Sequence, residues 1–121
     1  MLKVGTVVLG VEDLERAVAF WSAALGYVRR DDATDFVVLQ PSGGAGPRIA
    51  FQRSSAPAQE VPRVHLDLYA GDAAEQAAEV ERLVGLGARR VAWPHYPEDP
   101  DFVVLADSEG NRFCVIDTAH G

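Results

Sequence analysis

A chain of 121 residues, 48% apolar and 24% charged, has the size and composition of one soluble globular domain. Its 18 acidic residues outnumber 11 basic ones. The net charge of −7 opposes phosphate backbones and anionic membrane surfaces, so neither nucleic acid nor membrane is expected as a partner. A single cysteine excludes an internal disulfide and suits a reducing compartment. Met1-Leu2-Lys3-Val4 runs straight into a strand pattern, with no basic start followed by a long apolar run, and a cytoplasmic protein is expected.

Residues 3–11 form a β-branched, apolar run suited to a buried strand. Asp13 is placed to cap a helix, and Leu14, Ala17, Val18, Trp21, Ala24 and Leu25 follow with the spacing of an amphipathic helix, with Trp21 on its packed face. Gly26 ends it as a C′ glycine. Tyr27 to Arg30, Phe36 to Leu39 and Arg48 to Gln52 read as three further strands, the last two separated by a glycine-rich turn from Pro41 to Pro47. This half is βαβββ, about residues 1–53.

Residues 54–62 lose all periodicity and carry two prolines, which marks a linker between halves of one domain, 1–121. About residues 63–118 then repeat the plan. Arg63 to Tyr69 opens as a strand, and Asp72 with Glu75 forms an Asp-x-x-Glu capping box. Ala73, Ala77, Val80, Leu83 and Val84 make the helix stripe, which Leu86-Gly87 ends. Arg89 to Trp93 is a short strand, Pro94 to Pro100 a loop with three prolines, and Phe102 to Leu105 and Arg112 to Ile116 are strands around a turn at 107–111. The repeat is partly literal: Asp35-Phe36-Val37-Val38-Leu39 recurs as Asp101-Phe102-Val103-Val104-Leu105.

Phe20-Trp21, Leu25-Gly26, His65-Leu66-Asp67-Leu68, Leu86-Gly87-Ala88 and the run Asp107 to Cys114 occur in an order that resembles the glyoxalase / bleomycin-resistance / extradiol-dioxygenase superfamily, the vicinal oxygen chelate proteins, as a glyoxalase-like domain. The resemblance spans nearly the whole chain. It implies an α+β fold in which two βαβββ modules form an incomplete eight-stranded barrel around a cleft, with the helices outside. It also implies homodimers, and in metal-dependent members one ligand on the first and one on the last strand of each module. Matched residue by residue, those positions are Thr6 and His65 at the openings, and Cys114 and either Ala50 or Gln52 at the closings. His65 is the one strong ligand in place. Gln52 is a weak neutral donor and Cys114 a soft thiol where the resemblance implies a carboxylate.

The expected function is therefore the binding of a small organic ligand in the cleft by Thr6, Gln52, His65, Asp67, Trp93, Arg112 and Cys114, with no cofactor and no catalytic metal. The alternative is a lyase, isomerase or hydrolase with His65 as catalytic acid or base. There, a divalent metal would sit on His65, Gln52 and Cys114. Asp67, two residues on along the same face, reads most simply as a partner for His65 or a nearby arginine. Cys114 reads as a small core residue rather than a nucleophile. Trp93, His95 and Tyr96 either stack on a flat ligand or pin their loop. Arg48 and Arg112 match across the repeat, and either bind an anion or occupy exposed strand ends.

Overall fold

A computed structural model describes all 121 residues, which fall into two compact units, Met1–Pro57 and Ala58–Gly121. Each is a βαβββ module, so the fold is α+β: two helices and two four-stranded mixed sheets. In the first unit β1 (Thr6–Val11), α1 (Leu14–Leu25), β2 (Tyr27–Arg29), β3 (Phe36–Pro41) and β4 (Arg48–Arg53) follow in order. The sheet order is β1-β4-β3-β2, with β1 parallel to β4 and the other pairs antiparallel. The second unit repeats this with β5 (Asp67–Ala70), α2 (Ala73–Leu86), β6 (Arg89–Arg90), β7 (Phe102–Ala106) and β8 (Arg112–Asp117), in sheet order β5-β8-β7-β6. Neither sheet closes on itself; each keeps two edge strands.

Local chemistry explains the helix ends. Asp13 accepts from the Arg16 backbone N–H at 3.1 Å, and Asp72 accepts from that of Glu75 at 2.8 Å. Gly26 ends α1 in the left-handed region, at a φ of 69°. The α1 face is apolar throughout: Leu14, Ala17, Val18, Phe20, Trp21 and Ala24 are buried, with Trp21 edge-on to Phe20 at 5.2 Å between ring centroids. The α2 stripe is narrower than its spacing predicts. Only Val80 and Leu83 are buried, while Ala73 and Ala77 stay exposed. Gln76 supplies the docking that the alanines do not: its Nε2 donates to Asp101 O and Val115 O, each at 3.0 Å, and so ties the helix to the residue ahead of β7 and to β8.

Two expected strands are shorter than the sequence suggests. β5 begins at Asp67 rather than Arg63, although Leu66 O still accepts from Cys114 N at 2.9 Å. β6 spans two residues, Arg89–Arg90, instead of five. The Tyr96 hydroxyl takes over the vacated ladder position, accepting from Val104 N at 2.7 Å.

The registers settle which residues correspond between the modules. Val38 pairs with Ala50 and Val8 with Ala50; Val104 pairs with Cys114 and Asp67 with Cys114. Ala50 is therefore the counterpart of Cys114, Val8 that of Asp67, and Thr6 that of His65. Gln52 pairs with Phe36 as Ile116 pairs with Phe102, so Gln52 does not hold the closing position. The glycine turn leaves the register unshifted.

Candidate functional site

Alternation along three strands of the second unit brings one set of side chains to a common face: Asp67 and Tyr69 from β5, Phe102 and Val104 from β7, and Arg112, Cys114 and Ile116 from β8. His65 joins them from just ahead of β5, and Trp93 and His95 from the loop. Together they line a cavity of about 540 Å³, within the range of small-molecule sites. Trp93 and His95 stand edge to face, their ring centroids 5.4 Å apart.

β8 is aimed by the turn before it. Asp107, almost fully buried, accepts from Glu109 N at 2.8 Å and from Asn111 N at 2.9 Å. Gly110 completes the turn at a φ of 87°, where a side chain is strained. These bonds fix where the strand begins, and with it the positions of Arg112 and Cys114.

Three groups converge in the wall. His65 Nε2 lies 3.0 Å from Asp67 Oδ1, and the Cys114 thiol also hydrogen-bonds to the Asp67 carboxylate. The nitrogen, oxygen and sulfur donors of the three residues lie within 4.8 Å of one another. Burial pushes the Cys114 thiol up from 9.0 to about 11, helped by the Asp67 and Asp101 carboxylates, whose charge opposes a thiolate, and by the bond to Asp67. Near neutral pH the sulfur is a protonated donor and not a nucleophile.

An imidazole, a carboxylate and a thiol in one cluster match the three-protein-ligand count of an open zinc site. The soft sulfur disfavours hard ions such as magnesium. The donor set therefore fits a borderline divalent metal, whose binding must displace the thiol proton. Within this unit the third donor is Asp67, which the sequence placed among the ligand-binding residues but not in the metal set, where Gln52 stood.

Of the residues expected from sequence, His65, Asp67, Trp93, Arg112 and Cys114 line this one cavity. Thr6 opens β1 opposite Arg48, and Gln52 is an exposed residue near the end of β4; both belong to the first unit. Tyr69 and Asp101 were missed. Alternation from Asp67 points to Tyr69, whereas Asp101 is masked by the repeated word, in which Asp35 stands at the same place without such a neighbourhood in the sequence.

The profile described as a glyoxalase-like domain matches residues 6–116. Among solved structures the chain is similar to lactoylglutathione lyase from Agrobacterium tumefaciens, at 21% identity and a TM-score of 0.65, covering 96% of this chain and 93% of that one. It is also similar to a glyoxalase-related enzyme from Fulvimarina pelagi, at 19% identity and a TM-score of 0.73, covering 96% and 88%. A third is a glyoxalase/bleomycin resistance protein/dioxygenase family enzyme from Burkholderia phytofirmans PsJN, at 16% identity and a TM-score of 0.73, covering 94% and 97%. At these identities the likeness shows the fold. A search of curated proteins gave no match. No helix is long and apolar enough to cross a membrane.

Proposed function

The chain belongs to the glyoxalase-like domain family, and from that premise we propose that its second unit binds a small organic ligand with a flat apolar body. The observation that carries this reading is the cavity of about 540 Å³, walled by Trp93, Phe102, Val104 and Ile116 and carrying a few convergent polar groups. Aromatic walls supply area and stacking. The His65–Asp67 pair supplies orientation, since the carboxylate holds the imidazole and leaves its other ring nitrogen for a ligand. A thiol raised to about 11 adds a neutral donor and no nucleophile.

A second reading is a lyase, isomerase or hydrolase, and the imidazole–carboxylate pair at 3.0 Å favours it. An imidazole oriented by a carboxylate is the arrangement of a general acid or base. If a divalent metal is bound instead, His65, Asp67 and Cys114 would hold it, and it would supply Lewis acidity toward a ligand oxygen. Both schemes draw on His65, as proton carrier in one and as ligand in the other.

One set of measurements separates these outcomes. Thermal-shift screening against a metabolite panel is expected to yield ligands that Trp93→Ala weakens and His65→Ala weakens or abolishes, with chelator leaving binding unchanged. Hits indifferent to both substitutions would remove the cavity as the binding site. Elemental analysis finding about one zinc, iron, manganese or nickel per chain, lost to chelator together with an activity, would replace the binding reading with the metal-dependent enzyme.

A further inference from the structure

We propose that the cavity of the second unit takes a ligand bearing a carboxylate on its flat apolar body, anchored by the Arg112 guanidinium. This rests on the ligand-pocket reading above and adds the chemical class of the ligand.

Arg112 opens β8 and lines the cavity. Its Nη1 donates to Gly110 O at 2.7 Å, while its Nε is buried and meets no acceptor. A buried donor on a charged group left unpaired costs more than an ordinary missing hydrogen bond. Elsewhere in this acid-rich chain Arg29, Arg30, Arg82 and Arg90 each pair with a carboxylate. Arg112 pairs with none, although Asp67 and Asp101 share its cavity. Asp67 is engaged instead with His65 and the Cys114 thiol.

The first module provides an internal control. Arg48 holds the same register position as Arg112, and its Nε donates to Gln40 Oε1 at 3.3 Å. Gln40 lies one residue beyond the Leu39–Ile49 pair, and the residue at that place in the second module is Ala106, which pairs directly with Arg112. Ala106 is fully buried and has no side-chain acceptor. The repeat keeps the arginine and lacks its acceptor in the unit where the arginine lines an aromatic-walled cavity. A carboxylate supplies the planar pair of oxygens that the guanidinium fork matches. Trp93 and Phe102 supply walls for the body behind it.

The test is titration calorimetry of the whole chain with phenylacetate, phenylacetamide and phenethylamine, which share a shape and differ in charge. Phenylacetate is expected to bind about tenfold tighter than phenylacetamide, with phenethylamine weakest. Arg112→Gln is expected to reduce phenylacetate to the level of the amide while the amide stays within about twofold, which reports an intact pocket. Arg112→Lys, which keeps the charge and loses the fork, is expected to restore part of the difference. The inference is overturned if the amide or the amine matches phenylacetate, if Arg112→Gln leaves phenylacetate unchanged, or if it abolishes both ligands. Binding of none of the three overturns the pocket reading itself and this inference with it.

Discussion

The chemistry of Cys114 gives the sharpest test of the cavity's electrostatics. An ordinary thiol at 9.0 is about 9% thiolate at pH 8, whereas one raised to about 11 is about 0.1%. Ionisation alone therefore slows alkylation of Cys114 by about 90-fold relative to the unfolded chain, and its near-complete burial slows it further. Asp67→Asn removes a carboxylate that opposes the thiolate and accepts the thiol proton. The largest cause, burial, stays in place. In this variant the midpoint of the rate–pH profile should fall below that of the native chain and remain above 9.0. Iodoacetamide labelling followed by mass spectrometry from pH 7 to 11.5 reads both midpoints, with urea-unfolded protein as reference. A purely steric effect of the substitution would change the plateau rate and leave the midpoint where it was. A native midpoint at or below 9.0, or one that Asp67→Asn does not move, would refute the account.

The same thiol links stability to pH. Its folded pKa lies above the unfolded value, so its contribution is whole below about 9 and is lost as pH rises toward 11. Urea unfolding of Cys114→Ala should therefore show a shallower loss over that window than the native chain; equal slopes would count against the shift. Gly110→Ala should destabilise by more than Gly26→Ala, since both glycines have positive φ but the new Cβ at 110 meets the Ala58 Cβ at 3.3 Å while that at 26 meets open space. Equal losses, read from thermal melts, would remove the packing argument. Each sheet leaves edge strands uncovered within its unit, which motivates a homodimer. Light scattering should then give twice the 13.0 kDa chain mass, and the mass of one chain at micromolar concentration would defeat it.

Much of the fold was legible because its signals are local. Asp13, Gly26 and the apolar spacing between them dictate α1, and the repeated five-residue word lands on β3 and β7 with matching registers. Where local signals misled, a longer-range contact had taken over. The alanines of α2 looked like a packing stripe, but Gln76 does the docking through two carbonyls that lie 25 and 39 residues away. Val91 to Trp93 looked like a strand, but the Tyr96 hydroxyl satisfies the backbone group that a longer β6 would have used. Within the site, His65 could be found from its place in the repeat. Asp67 as a third donor could not, because its role depends on a cross-strand pairing with Cys114, 47 residues on.

The registers also separate what the fold requires from what is extra. The backbone that carries His65, Asp67 and Cys114 in the second unit is built in the first with Thr6, Val8 and Ala50 at the same positions. A hydroxyl, an isopropyl group and a methyl satisfy the same strand pairing, so neither the imidazole nor the carboxylate is needed to form it. Burial, with the neighbouring Asp67 carboxylate, keeps the sulfur protonated, and the arrangement commits three polar groups to one wall of a cavity. Stability does not call for that arrangement, because the first unit folds the same topology without it. The added polarity is local to the cavity-facing side of β5 and β8, where Arg112 also lacks the acceptor that Arg48 has. Among the departures of one module from the other, His65, Asp67 and Cys114 line the cavity, which is where selection by a ligand, rather than by folding, would act.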